Sequence, residues 1–182
     1  MPDENPSEFS RRVARADIER GPVQLNFAAE PQECSALAKR FGVLSVESLS
    51  LDVAIRHFGP DVYRAEGLVQ GQAMQRCVVT LQPVLETICE AFCIDFTENA
   101  MLAEDIDEEC DADIEPFSGD SIDVGEVAAQ HFALGLNPYP RRADAEPVSL
   151  TSGPATAADA DSERESPFSV LAHLLDNEKK TH

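Results

Sequence analysis

Five cysteines are the first side chains in this sequence that could act as nucleophiles or metal ligands: Cys34, Cys77, Cys89, Cys93 and Cys110. An odd number of cysteines without a signal peptide predicts reduced thiols in a cytoplasm. Cys89 and Cys93 lie four positions apart on a predicted strand, about 13 Å, which is too far for two sulfurs to share one zinc ion. We therefore expect small buried apolar cysteines and predict neither a metal nor a cofactor. Counting leaves a single catalytic cysteine open, although no His with an acidic partner accompanies one.

A dense acidic run is the second feature that could bind a ligand. It lies in a segment of about 103–119 and includes Glu104, Asp105, Asp107, Glu108 and Glu109. With few apolar residues between the acids, the segment is typical of a solvated loop. A surface for a basic protein and a cation site are the alternatives. The segment lacks the glycine and the spaced final Glu of a calcium-binding loop, so we predict no metal there.

An aromatic ring and two guanidinium groups stand together in the stretch Pro138–Arg142. Tyr139, Arg141 and Arg142 follow a proline turn, so they could stack on a base or bind phosphates. Alternatively, the arginines cover a helix end and balance its dipole.

A second candidate contact precedes a run of β-branched and apolar residues. Gln75, Arg76 and Thr80 could form part of a surface that binds RNA or a partner. Alternatively, the run from Cys77 to Leu81 is a buried strand end at a corner of the core, and Pro83 stops the strand ladder.

Charge limits the partners that this chain can have. The 34 acidic and 14 basic side chains give a net charge of −20. The 64 residues from Cys77 to Pro140 hold 15 of the acids and no Lys or Arg. Generic nucleic-acid binding needs clustered Lys and Arg, so any RNA contact must be local or made through a partner. No apolar run approaches the ~20 residues of a membrane span, and we expect a cytoplasmic protein that does not contact a membrane.

Periodicity places these residues on a mixture of strands and helices. Alternation predicts strands, proline and capping signals begin helices, and glycine or proline ends them. The expected strands cover 12–18, 23–28, 49–55, 63–74 and 88–96, and the expected helices cover 31–41, 124–136 and 167–175. The first two strands form a hairpin around Gly21 and Pro22, and the small residues of 63–74 indicate a strand that is closely covered or sharply bent.

The predicted fold class is α+β. A curved antiparallel sheet, open or barrel-like, packs against two or three helices and carries the acidic loop. Residues 1–142 form this single domain, 143–165 a flexible linker rich in Ala, Asp, Ser and Pro, and 166–182 a C-terminal amphipathic helix and tail.

Three segments resemble a known family: MQRCVVTLQPV at Met74–Val84, IDVGEVAAQHFALGLNPYPRR at Ile122–Arg142, and SPFSVLAHL at Ser166–Leu174. They are similar, in this order, to the alphaproteobacterial form of the YceD family, the large ribosomal RNA subunit accumulation proteins. The resemblance implies a non-enzymatic role in synthesis, processing or accumulation of large-subunit ribosomal RNA in bacteria, with no catalytic residues to transfer.

The partners implied are a large-subunit precursor particle and ribosomal RNA, contacted directly or through basic ribosomal proteins. An acidic chaperone or scaffold that binds a basic ribosomal protein is the alternative. The sequence gives no prediction of the oligomeric state.

Overall fold

The computed structural model describes residues 7–59, 61–98 and 112–145. These residues belong to one compact unit, Met1–Glu146. In chain order the elements are β1 (Arg12–Ala14), α1 (Arg15–Arg20), β2 (Val23–Ala28), α2 (Pro31–Phe41), β3 (Ser45–Gly59), β4 (Val62–Arg76), β5 (Pro83–Thr97), β6 (Asp113–Pro116), β7 (Ser121–Asp123) and α3 (Val124–Leu134). The predicted α+β class is confirmed.

The main sheet has five strands in the order β2-β3-β4-β5-β6. Its first four strands are antiparallel neighbours, whereas β6 joins β5 in parallel. The order is open at β2 and at β6, so the sheet does not close into a barrel. Register shifts in the β3–β4 pair, one of them between Val46 and Ser48, mark irregularities of the kind that bend a strand.

Helices cover one face of this sheet. α1 and α2 contact β3, and α3 contacts β3, β4 and β5. The stripe of small residues on β4 allows this packing, because a side chain at Gly71 would lie 2.7 Å from the Phe132 ring of α3 and 2.2 Å from the Ser48 carbonyl oxygen. The expectation of a closely covered strand is therefore confirmed, and close packing fixes α3 on the sheet.

A buried ion pair fixes the neighbouring ladder. The Nε and Nη2 groups of Arg64 on β4 each donate to the Asp95 carboxylate on β5 at 2.7 Å, and both side chains are buried. The two residues are cross-strand partners, and the guanidinium lies 3.7 Å from the centre of the Phe58 ring. A two-nitrogen contact of this kind is specific in geometry, so it supports a single β4–β5 register.

Two local predictions are wrong. Residues 15–20 are helical, and β1 pairs with β7 instead of forming a hairpin with β2. Arg15 and Glu19 form an i,i+4 ion pair, which suits a helix and not a strand. The partner of β1 lies more than 100 residues further along the chain, where no local pattern could indicate it.

A further difference concerns the acidic segment of about 103–119. Its last part contains β6, which pairs with β5, and Phe117 is buried directly after it. The Phe117 N–H donates to the Thr97 carbonyl at 2.8 Å, so an edge-strand pairing and an aromatic anchor order residues that look solvated in sequence. Residues 99–111 and 146–182, which include most of the predicted linker and the C-terminal helix, lie outside the described residues.

The cysteines also depart from the expectation of buried, reduced thiols. Cys34, Cys77 and Cys89 are free, but Cys89 is exposed. Cys93 is half-buried and disulfide-bonded. Both Cys89 and Cys93 sit on the face of β5 opposite to Ile88 and Phe92, which point into the core.

An ionic cluster attaches the N-terminal segment and α2 to the start of α3. Arg40 of α2 contacts the Glu126 carboxylate at 2.5 Å and 2.8 Å, and the Ser7 hydroxyl donates to it at 2.5 Å. Asp123 caps α3 by accepting the Gly125 and Glu126 N–H groups. The hydrogen bonds from Arg40 lower the pKa of Glu126 to about 2, although burial opposes this shift.

Replacing Glu126 with Gln tests this cluster. Since the carboxyl pKa is lower in the folded chain than its ordinary value of 4.5, its stabilisation is complete above about pH 4.5 and is lost as the pH falls towards 2. We expect Glu126→Gln to lower the unfolding free energy by about 1–3 kcal/mol at neutral pH. The difference from the unmodified chain should vanish near pH 2, as measured by urea unfolding.

The exposed Arg56–Glu66 pair provides the matched control. Glu66→Gln should change the unfolding free energy by less than about 0.5 kcal/mol, because exposed ion pairs contribute little. A Glu126→Gln effect as small as this, or one of equal size at both pH values, would contradict the assignment.

Candidate binding surface at the β4–β5 turn

The turn between β4 and β5 lies at one end of the main sheet. The ladder of these two strands ends at the pair Arg76 and Pro83, and residues 77–82 connect them. The Cys77 N–H donates to the Gln82 carbonyl at 2.8 Å, and the Leu81 N–H donates to the Cys77 carbonyl at 2.9 Å. Leu81 has a φ of +61°, a left-handed conformation that costs a non-glycine residue about 1–2 kcal/mol. Backbone hydrogen bonds therefore hold the turn in one tight shape.

This turn corrects the prediction that Cys77–Leu81 is a buried strand end. Only Cys77 is fully buried, whereas Val78 is 45% exposed and Leu81 is 65% exposed. Pro83 is the first residue of β5 and lies in the last pair of the ladder.

The segment that follows α3 packs against the turn. The Val78 N–H donates to the Pro140 carbonyl at 2.9 Å, and Pro140 is buried. The Gln75 amide donates to the Asn137 carbonyl at 3.2 Å, and the Asn137 N–H donates to the Glu86 carboxylate at 3.2 Å. The two stretches that carry the predicted contact residues therefore form a single surface.

The Cys77 sulfur lies at the centre of this junction. The Thr80 N–H donates to it at 3.4 Å, and the Thr80 hydroxyl and the Arg142 and Val79 N–H groups also favour its charged form. These donors outweigh burial and lower the pKa of Cys77 to about 6. All of them stabilise the thiolate, so Cys77 links the turn to the segment after α3.

The structure brings together all six residues that were predicted to contact RNA or a partner. They differ in burial and in the contacts that they make within the chain. Gln75 is half-buried, and its Oε1 accepts no hydrogen bond from the described residues. The Thr80 N–H donates to the Cys77 sulfur, and Arg142 forms an ion pair with Asp144 at 2.8 Å. Thr80 and Arg142 are thus engaged within the chain itself.

The other three predicted residues face solvent. Tyr139 is 71% exposed. Arg76 and Arg141 are exposed and form no ion pair with any described residue. These three side chains are the exposed members of the set that ion pairs among the described residues leave unoccupied. The five acids predicted to bind a basic partner, Glu104, Asp105, Asp107, Glu108 and Glu109, lie outside the described residues.

Sequence reasoning missed the exposed aliphatic residues at this end of the sheet. Val78 and Leu81 were expected in the core, and Leu85, which is 53% exposed, was not singled out. Leu85 pairs with Met74, two positions into the ladder from Pro83. The surface is therefore more apolar than the six predicted residues suggest.

Replacing Thr80 with Val tests the thiolate network. The change removes the hydroxyl donor that contributes most, so the pKa of Cys77 should rise from about 6 towards the ordinary value of 9.0. The measurement is the pH dependence of thiolate ultraviolet absorbance, taken as the difference between each chain and its Cys77→Ala counterpart. Thr87→Val, on the exposed side of β5, is the control and should leave the pKa of Cys77 unchanged. An unchanged pKa in Thr80→Val would contradict the network.

None of the described helices has the length and apolar character needed to span a bilayer.

Comparison with known proteins assigns this arrangement to a family. The family model described as large ribosomal RNA subunit accumulation protein YceD matches residues 65–175. The match includes the β4–β5 turn, α3 and the segment after α3. No curated protein and no solved structure matches the chain. Because the match covers more than half of the sequence, the chain belongs to the YceD family, whose name implies a role in the accumulation of large-subunit ribosomal RNA.

Proposed function

We propose that this chain is a non-enzymatic assembly factor that acts in the cytoplasm on precursors of the large ribosomal subunit. In this role it supports the synthesis, processing or accumulation of the ribosomal RNA by binding the precursor particle. Family membership supports the connection to the large-subunit RNA. Binding as the mode of action is supported by the chemistry of the β4–β5 turn.

One observation carries the proposal most directly: two distant stretches of the sequence meet in one exposed surface. Val78 and Pro140 are joined by a backbone hydrogen bond although 62 positions separate them. Tyr139, Arg76 and Arg141 surround this junction and face solvent. Aromatic, guanidinium and aliphatic groups of this kind are typical of contact surfaces.

The Cys77 sulfur fits the same interpretation. It is buried, and the groups that contact it are donors that stabilise its charge and take no proton from it. A nucleophilic cysteine needs access to its substrate and a base or acid that serves the reaction. We therefore assign Cys77 to positioning of the surface.

A binding factor and an enzyme differ in the dose that cells require. In cells that lack the chain, graded expression should restore the ratio of large-subunit to small-subunit ribosomal RNA in proportion to the amount of protein. Restoration should level off when the chain and the nascent particles are present at roughly equal numbers, because each particle needs a bound copy. The measurements are RNA quantification and quantitative blotting.

The same cells provide the control and the contrary result. The chain should sediment with large-subunit precursors and not with small-subunit particles. Full restoration at trace amounts of protein would indicate turnover and contradict the proposal, as would the absence of any sedimentation with precursors.

The concentration of negative charge favours a second candidate function, an acidic chaperone for a free basic ribosomal protein. Fifteen acids without a Lys or Arg between Cys77 and Pro140 would speed encounter with such a protein. Neutralising the five acids between positions 104 and 109 to amides should abolish binding of a free basic protein under this alternative. The assembly-factor proposal expects the variant to retain its sedimentation with precursors.

A further inference from the structure

Four exposed apolar side chains lie on or beside the β4–β5 turn, and we name them the hairpin-end patch: Val78, Leu81, Leu85 and Tyr139. Their exposed fractions are 45%, 65%, 53% and 71%. Val78 and Leu81 are on the turn, Leu85 is two residues beyond Pro83, and Tyr139 precedes the proline whose carbonyl binds the turn. Exposed apolar side chains gathered at one end of a sheet make that end a candidate interaction site.

The patch is held rigidly before any partner binds. Two backbone hydrogen bonds close the turn, a third joins it to Pro140, and the Cys77 sulfur accepts the Thr80 N–H at 3.4 Å. Leu81 keeps its left-handed backbone within this network. A surface that is already ordered loses little conformational entropy on binding, which favours affinity from a small contact area.

Two exposed arginines border the patch. Arg76 ends β4 beside the turn, and Arg141 follows Pro140. Both are exposed and lack an ion-pair partner among the described residues. Tyrosine and arginine are enriched where protein interfaces make their strongest contacts, and large apolar side chains occupy the interface centre.

Electrostatics decides between RNA and protein as the partner. RNA affinity comes mainly from neutralised phosphates, and the two exposed guanidinium groups can neutralise about two of them. A net charge of −20 on the chain opposes the approach of a polyanion. The same charge attracts a basic protein and speeds its encounter.

We propose that the hairpin-end patch docks an apolar segment of a basic protein of the large-subunit precursor, and that the chain reaches ribosomal RNA only through this protein. The inference rests on the proposed function and adds the partner and the residues that bind it. The arginines would contact carbonyl or carboxylate groups at the edge of that interface.

The test uses the full-length chain with two sets of probes. The first set is the basic proteins of the large subunit, purified and tested one by one, and the second is deproteinised large-subunit ribosomal RNA. Binding is measured by fluorescence anisotropy. At least one protein should bind, and Leu81→Asp combined with Leu85→Asp should weaken that binding by about tenfold or more. Arg76→Ala combined with Arg141→Ala should weaken it by less than about threefold.

A matched control separates docking from general surface effects. Ile114 on β6 is 39% exposed and lies away from the turn, so Ile114→Asp should leave binding of the protein unchanged. Thermal unfolding of every variant identifies any that fail to fold. In that case Leu81→Ser with Leu85→Ser replaces the aspartates, with a weakening of about threefold or more expected.

Two results would overturn the inference. One is binding of the deproteinised RNA that falls about tenfold in the arginine pair and not in the leucine pair. The other is that the full set of proteins contains none whose binding is weakened by the leucine substitutions. If the chain nevertheless sediments with precursors and restores the RNA ratio, the inference fails while the proposed function stands. If the chain does not sediment with precursors, the proposed function fails as well.

Discussion

The hydrogen bond from the Val78 N–H to the Pro140 carbonyl is the interaction on which the proposed surface depends. It joins the turn of the longest hairpin to the segment after the last described helix. For it to form, the β4–β5 ladder must end at Arg76 and Pro83, and α3 must lie across the sheet at the right depth. Gly71 permits that depth by leaving room for the Phe132 ring, and the Arg40–Glu126 contact holds the beginning of α3 against α2. The packing of the core and the position of the surface therefore both follow from the strand register and from the depth at which α3 lies on the sheet.

The position of the negative charge changes its meaning. In sequence, the 15 acids between Cys77 and Pro140 look like one solvated block. In the fold, Asp95 is buried against Arg64, Asp123 caps α3, Glu126 binds Arg40 and Glu86 accepts the Asn137 N–H. These acids act as internal partners, and each depends on a basic or backbone donor elsewhere in the chain. The net charge still governs which partners approach, but the acidic side chains behind it are not a uniform layer on the protein surface.

Local signals were sufficient for the elements that are long or clearly capped. The proline at the start of α2, the glycine after it, the Asp123 cap and the alternation of β3 to β5 all led to elements that the structure contains. Where partners are distant, sequence reasoning failed. β1 pairs with β7, and β6 forms because β5 presents an open edge, and neither pairing leaves a periodic signal in its own short strand.

The candidate surface, too, was predictable from the sequence only in part. The residue types of Tyr139, Arg141 and Arg76 were enough to select them, and motif resemblance indicated that both stretches matter. The exposure of Val78 and Leu81 was not predictable, since β-branched and apolar residues in a run favour a buried strand. Only the turn geometry, with Leu81 in a left-handed conformation, places these side chains outside the core.

Site-specific photo-cross-linking from position 81 tests the central claim most directly. The full-length chain, carrying a photoreactive residue in place of Leu81, is irradiated while bound to large-subunit precursors, and the cross-linked species are identified by mass spectrometry. The account predicts cross-links to a basic protein of the particle from position 81, and none from position 54, since Ala54 lies on β3 away from the turn. Cross-links from position 81 to ribosomal RNA, or cross-links from position 54 alone, would contradict it.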